Sequence, residues 1–280
     1  LTDHARAIDI LVHTAALKHV ILCEQAPQQA VQTNIEGVQN VIAAATDAGV
    51  ERVLFTSSDK AVNPTNVMGT SKLMGERLLT AANAHKRASS DGPIFASTRF
   101  GNVLGSRGSV IPLFKRQIAE GGPVTLTDPR MTRFIMTLEE ATRLVVDSVF
   151  LAQGGEVFVT KMPAIRIEDL AEVMVEELAP RHGHDPKGVD IDVVGAKPGE
   201  KFYEELMNTE EKRRTRELKD YFAILPAFKS IYQEIEYDYP DTERLGVDRV
   251  YNSANEPTMS RERLRTYLRE RVLVNEPQSE

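Results

Sequence analysis

Ser58-Asp59-Lys60 sets a hydroxyl, a carboxylate and an amine side by side. That is the set a proton-transfer site needs: a donor, an acid and a base. The three follow Thr56 and Ser57, just past Val53-Leu54-Phe55, whose β-branched and aromatic residues read as a strand. A solvated turn is the alternative reading, because consecutive side chains can point different ways. A few residues on, Met68 and Lys72 are four apart and share one face of a helix expected over about residues 67–88. There the lysine suits a ribose hydroxyl and the methionine the face of a ring; a surface lysine beside a core methionine is the plainer reading. Val12-His13-Thr14-Ala15-Ala16 closes an earlier strand, residues 8–14, with small side chains at its carboxyl end. Ligands of open parallel sheets sit outside such ends. Tight helix–strand packing accounts for small residues equally well.

Gly101, Gly105 and Gly108 mimic the glycine spacing of a dinucleotide loop. They lie in the wrong place for one, since that fingerprint opens the first βαβ unit and is followed by an acidic residue closing the next strand. They read instead as shaping a substrate loop, with Asn102 and Arg107 as polar contacts. Two basic loops, one from Thr127 to Phe134 and one from Lys197 to Lys201, suit an anionic group such as a diphosphate, with charged surface turns as the alternative. His13 and His19 have no further ligand at metal-binding spacing, so no metal site is expected. Cys23 is the only cysteine, which excludes an internal disulfide framework, and it has no histidine partner that would make it a nucleophile.

These residues are positioned by alternating strand-like and helical runs, the pattern of an α/β fold with a parallel sheet and crossover helices. An amphipathic helix is expected over residues 27–48 with Gly49 as its stop. Further strands fall at 53–57, 94–99, 124–127, 156–160 and 191–194, with helices at 137–151, 167–178 and 261–272. Thr137 and Glu140 form a capping box. The 280 residues are 41% hydrophobic and 27% charged, enough for a sizeable core, and the net charge of −7 argues against a nucleic-acid surface. No apolar run approaches the roughly 20 residues of a membrane span. The first residues read as the end of a helix, so the sequence is expected to begin inside a domain.

Seven strings occur in order: Ala15-Ala-Leu-Lys-His-Val20, Thr33-Asn-Ile-Glu-Gly37, Ser58-Asp-Lys-Ala-Val-Asn-Pro64, Arg99-Phe-Gly-Asn102, Ser106-Arg-Gly-Ser109, Met131-Thr-Arg-Phe134 and Pro198-Gly-Glu-Lys201. Together, over about residues 8–226, they resemble the CapD-like polysaccharide-biosynthesis branch of extended short-chain dehydrogenases, the nucleotide-sugar 4,6-dehydratases. The resemblance implies a Rossmann-like doubly wound parallel sheet with a smaller α/β substrate-binding part, tightly bound and recycled NAD(P), and a UDP-sugar substrate. The usual one is UDP-N-acetylglucosamine, converted to a 4-keto-6-deoxy sugar nucleotide. Residues 1–120 would be the remainder of the NAD(P)-binding domain, 121–226 mainly the interleaved substrate-binding part, and 227–280 a C-terminal extension.

The resemblance also implies roles. Ser58 stands near the sugar 4-hydroxyl, Asp59 is the acid for the departing C6 hydroxyl, Lys60 is the base at C5, and Lys72 holds the nicotinamide ribose. Thr14, Ala15, Ala16, Lys18, Asn34, Thr56, Ser57 and Phe100 fall at the cofactor. Lys18, His19, Asn102, Arg107, Ser109, Thr127, Met131, Arg133, Lys197 and Glu200 fall at the substrate. The sequence departs from the pattern in three ways. Met68 stands where short-chain dehydrogenases usually carry Tyr, which leaves the 4-hydroxyl proton to Ser58, Asp59 or water. Ser58 and Lys197 replace an expected Thr and Arg. The N-terminal glycine-rich segment, about 60–80 residues, is not in the sequence, so the chain alone is expected to bind NAD(P) poorly. A 4-epimerase and a non-catalytic NAD(P)-binding sensor or scaffold are the alternative functions. A cytoplasmic location, or the cytoplasmic face of a membrane, and a homo-oligomer paired through the two long helices complete the expectations.

Overall fold

The computed structural model describes residues 1–85, 92–106, 108–195, 200–227 and 235–273. Arg107 and Lys197 lie outside the described residues. The chain forms two compact units that exchange segments. The first comprises Leu1–Phe100, Thr142–Lys161 and Glu205–Tyr251; the second comprises Gly101–Ala141, Met162–Glu204 and Asn252–Glu280. The chain thus crosses between units several times.

In the first unit, strand Ile10–His13 pairs in parallel with Arg52–Thr56, that strand with Ile94–Arg99, and that one with Val157–Thr160. These four make the Rossmann-like half expected from the alternation of elements. Tyr221–Ile224, Thr215–Leu218 and Thr242–Leu245 then extend it antiparallel into a seven-stranded sheet. The sequence pattern did not reveal this half. Only Lys219 and Asp220 separate the first two of its strands, a hairpin connection rather than a crossover, and Arg216 and Glu217 interrupt the apolar run.

The helix expected over 27–48 is present but not regular. It runs as Pro27–Val31, a π turn at Gln32–Glu36, and Gly37–Ala48, closed by Gly49 in the left-handed region at φ 72°. A π turn widens the helix by one residue and is a local cost that tertiary contacts must offset; here it presents Asn34 to the interior. The helix Val67–His85 begins on Asn66, whose Oδ1 accepts the Gly69 amide at 2.8 Å. Val38, Val41 and Ala45 from one helix and Leu79 from the other bury against Val53, Phe55 and Phe95 of the sheet.

In the second unit, Asn102–Val103, Thr132–Met136 and Ala164–Arg166 form a small sheet, and Val124–Leu126 pairs with Ile191–Val193. Helices Val110–Ala119, Ile167–Leu178 and Arg261–Arg271 close over a core that includes Ile111, Phe114, Leu170, Met174 and Leu264. The capping box forms as expected: Thr137 donates its amide to Glu140 Oε2 at 2.8 Å, and Thr137 Oγ1 accepts the Glu140 amide at 3.1 Å. Among the described residues, no helix is long and apolar enough to cross a membrane.

Candidate active site

The strand Arg52–Thr56 ends in a 3₁₀ turn, Asp59–Ala61, and this turn resolves the question of where the adjacent side chains point. Ser58 is extended and caps the turn, its Oγ accepting the Lys60 amide at 3.2 Å. The same Oγ donates to Asp59 Oδ1 at 2.7 Å, and Lys60 Nζ reaches both Asp59 oxygens, at 3.0 and 3.1 Å. The hydroxyl, carboxylate and amine are therefore one hydrogen-bonded group. Asp59 is 5% exposed, while the Lys60 side chain is 35% exposed, so the carboxylate is buried and the ammonium that pairs with it reaches solvent. The Asp59 amide donates to the Phe100 carbonyl at 3.0 Å and the Ser57 amide to the Thr98 carbonyl at 2.7 Å. The strand Ile94–Arg99 thus fixes the turn through its own backbone.

The turn is also held from the helix side. A Cβ built on Gly69 would lie 2.2 Å from the Lys60 carbonyl oxygen, so only glycine allows the helix Val67–His85 this close. Lys72, one turn further along, is buried and donates to the Thr56 carbonyl at 2.9 Å, with its ammonium 4.7 Å from the centre of the Phe55 ring. Burial pushes its pKa down to about 8, against the opposing charge of Glu76. His13 stacks on the other side of this region, 5.8 Å from Phe55, and its pKa is lowered by burial and by the Lys72 charge.

Met68 does not face an open site. It is 3% exposed and packs with Cys23 and Ala30, a core methionine, although Lys72 beside it is buried and not the surface lysine of the plainer reading. Asn34 is 1% exposed and its amide is spent: Oδ1 accepts the Leu17 amide at 2.8 Å, and Nδ2 donates to the Leu17 carbonyl and Ser71 Oγ, both at 2.9 Å. Because Ser71 Oγ in turn donates to the Met68 carbonyl at 2.7 Å, Asn34 ties the loop after the first strand to the start of the lysine helix. It positions that loop instead of contacting a ligand through its amide. Thr14 and Ala15 are exposed and Ala16 half-buried beyond the first strand; Lys18 and His19 are exposed, His19 standing before the helix Val20–Gln25. Thr56 Oγ1 donates to the His13 carbonyl at 3.3 Å.

Ser57 Oγ and His13 Nε2 are buried without a hydrogen-bond partner. Buried polar atoms are almost always paired, so these two mark where a polar group of a ligand fits. With the exposed small residues Thr14 and Ala15 and the Lys72 ammonium, they form a donor set that suits the amide and ribose hydroxyls of a nicotinamide nucleotide.

In the second unit, Arg133 is 11% exposed on its side chain and is held by its neighbours. It donates to the Thr132 carbonyl at 2.8 Å, the Phe202 carbonyl at 3.2 Å and the Met131 sulfur at 3.3 Å. Glu204 lies 3.5 Å from it and Glu200 3.7 Å. Sequence reasoning missed Glu204, which is 4% exposed and whose Oε2 also accepts the Phe134 amide at 2.9 Å. Met131 is in the core at 1% exposed, so it orients the arginine from beneath and does not offer its side chain to a substrate. Asn102 is half-buried at the start of its short strand, Thr127 half-buried just past Val124–Leu126, and Ser109 leads into the helix Val110–Ala119 with a buried, unpartnered hydroxyl. Gly101 backs onto Phe134 and Met162, where a Cβ would come within 2.8 Å of the Phe134 Cβ; it is a packing glycine and not a phosphate loop. Among the described residues, no group of three or more His, Cys, Asp and Glu could hold a metal ion.

Relatives of this chain are informative in the same direction. An "uncharacterized membrane protein MJ1061" of Methanocaldococcus jannaschii is 47% identical over 94% of this chain and 75% of its own length. A UDP-N-acetylglucosamine 4,6-dehydratase (inverting) of Campylobacter jejuni is 39% identical over 83% of this chain and 66% of its own length. UDP-glucose 4-epimerase of Rickettsia rickettsii reaches the same 39% over 80% of this chain and 63% of its own length. The chain therefore spans about two thirds to three quarters of these relatives. The solved structure of Pen from Bacillus thuringiensis superimposes with a TM-score of 0.84 at 43% identity, over 96% of this chain and 77% of that one. Residues 2–226 match the family described as polysaccharide biosynthesis protein, and the chain belongs to that family.

Proposed function

We propose that this chain carries the catalytic residues for the NAD(P)-dependent 4,6-dehydration of a UDP-sugar, UDP-N-acetylglucosamine, to a 4-keto-6-deoxy sugar nucleotide for surface polysaccharide or glycan synthesis. The observation that carries the reading is the Ser58–Asp59–Lys60 cluster, a proton donor, acid and base joined by hydrogen bonds of 2.7–3.1 Å. Thr14, Ala15, Ala16, Thr56, Ser57 and Lys72 would hold NAD(P), which would supply reversible hydride acceptance from C4 and return to C6.

Each residue of the cluster then has work to do. Ser58 passes the 4-hydroxyl proton to Asp59 along its 2.7 Å hydrogen bond. Asp59, now protonated, delivers that proton to the C6 hydroxyl, which leaves as water. Lys60, whose own proton passes to Asp59 along their 3.0 Å hydrogen bond as Asp59 gives its proton up, takes the C5 proton, acidified by the adjacent ketone, and returns a proton to C5 once C6 is reduced, after which Asp59 hands the shared proton back. The proton count closes: the 4-hydroxyl proton leaves in the water, and Asp59 and Lys60 end as they began. Lys72 donates to a ribose hydroxyl. Asn102, Ser109, Arg133 and Glu200 hold the UDP-sugar, with Glu200 and Glu204 keeping the Arg133 fork in place.

A 4-epimerase is the second reading, favoured by relatives of that name at equal identity. Placement of Met68, without a phenol, at the first turn of the lysine helix opposes it. The protein at its full natural length, given NAD(P) and UDP-N-acetylglucosamine, separates the two. Loss of one water with a new C6 methyl, read by mass spectrometry and NMR, supports dehydration; unchanged mass with a C4 epimer supports the second reading. Lys60→Ala abolishes turnover of an enzyme and changes nothing in a cofactor-binding scaffold.

A further inference from the structure

Beneath the catalytic turn lies a buried ionic triad that the reaction does not use directly. Arg99 is 1% exposed on its side chain, Glu76 3% and Glu211 2%. Arg99 Nε and Nη2 fork onto the two oxygens of Glu76 at 2.9 and 2.7 Å, and Nη1 and Nη2 fork onto Glu211 at 2.9 and 2.8 Å. A further bond reaches the Leu206 carbonyl at 3.0 Å. Arg99 is thus saturated, and so is each carboxylate in its direction. Removing Arg99 leaves two buried carboxylates uncompensated, removing either glutamate leaves a balanced pair with half of the arginine's fork unmet, and neutralising the whole triad leaves neither.

The position of this triad in the fold connects it to both halves of the site. Arg99 is the last residue of its strand, and the next residue, Phe100, accepts the Asp59 amide. Glu76 is one helical turn beyond Lys72 on the same helix face. Glu205, in the segment that carries Leu206 and Glu211, accepts from Asn63 Nδ2 at 3.3 Å in the loop that follows Lys60. Clamping Arg99 therefore fixes the strand end above the turn, the helix beside it and the segment below it.

We propose that Arg99 is a positioning residue for the reaction: its double fork aligns the Phe100 carbonyl that holds Asp59 and engages the Glu76 carboxylate one turn from Lys72. This rests on the dehydratase reading for its kinetic consequence, but not for its electrostatic one. The groups facing Lys72 are Glu76 on its own helix, the Thr56 carbonyl and Phe55 ring on the second strand, and His13 on the first. Of these, Glu76 is the anion, and Arg99 sets how much of its charge Lys72 feels.

The test uses Arg99→Lys, which keeps the charge and loses the fork, Glu76→Gln, and the triple variant Arg99→Met/Glu76→Gln/Glu211→Gln, which removes the three charges of the triad together and is measured where a single variant fails to fold. The Lys72 pKa is read by NMR of the protein labelled at lysine ¹³Cε, and turnover of UDP-N-acetylglucosamine by mass spectrometry. Arg99→Lys is expected to raise the Lys72 pKa above about 8 and Glu76→Gln to lower it. In Arg99→Lys, kcat falls about tenfold to a hundredfold with KM nearly unchanged, because alignment and not ground-state binding is lost. The triple variant shows the same kcat loss in a folded protein. An unmoved Lys72 pKa in Arg99→Lys, or full kcat in the folded triple variant, overturns the positioning role. Shifted lysine titration in a wild-type protein that does not dehydrate the sugar instead overturns the dehydratase reading and leaves the electrostatic role of Arg99 standing.

Discussion

Gly69→Ala is the smallest perturbation that strikes the catalytic turn without touching a reacting group. The added Cβ would lie 2.2 Å from the Lys60 carbonyl oxygen, 3.1 Å from its carbon and 3.2 Å from the Pro64 Cβ. Ordinary contact begins at 3.4 Å, so helix and turn must separate by the difference, 1.2 Å. The obstructing atom is backbone and cannot rotate away. Displacement by about 1 Å costs about a hundredfold in turnover when it misplaces catalytic groups. Stability changes far less, since alanine gains about 1 kcal/mol of helix propensity against an overpacking cost of about 1–3 kcal/mol. A net loss of about 0–2 kcal/mol lowers the melting temperature by about 2–4 °C per kcal/mol. The assay is dehydration of UDP-N-acetylglucosamine by the full-length protein alongside thermal unfolding. Gly37→Ala is the matched control: it is helical, the nearest atom to its Cβ is 3.7 Å away, and it should gain stability and keep activity. A folded Gly69→Ala protein whose kcat stays within about threefold of wild type refutes the alignment reasoning.

Lys72 and the capping box make two further tests. Burial lowers the Lys72 pKa from 10.5 to about 8, so between those values the unfolded chain holds the proton that the folded one has lost. By linkage the lysine's penalty on folding is constant below about pH 8 and disappears as pH rises to 10.5, an upper bound of about 3 kcal/mol. Lys72→Met should therefore be more stable than wild type at pH 7, with the advantage fading by pH 10.5; an advantage independent of pH counts against the assignment. Turnover should fall above about pH 8 as the ammonium is lost. Thr137→Ala removes the hydroxyl that accepts the Glu140 amide and should cost about 1 kcal/mol in urea unfolding, with no effect on kcat. A stability unchanged within error means the helix start is held by its packing instead.

Much of the site was legible because its chemistry is local. Ser58, Asp59 and Lys60 are consecutive, Met68 and Lys72 are one helical turn apart, and Thr137 and Glu140 obey a capping spacing; short-range geometry fixes what such residues do to one another. The parallel half of the sheet was legible for the same reason, since apolar strand runs alternate with amphipathic helices. What the sequence could not determine by itself depends on contacts across long separations. Only the fold brings Glu211 to Arg99, 112 residues away, or Glu204 to the Phe134 amide, 70 residues away. The antiparallel strands escaped notice because their polar faces break the alternation that marks a half-buried strand. Asn34 and Met131 carried family positions in the sequence, yet the structure turns the one inward through a π turn and sinks the other in a core. A residue type and a spacing state which chemistry is available; burial and partners, which exist only once distant segments pack, decide whether a side chain meets a ligand or holds the residue that does.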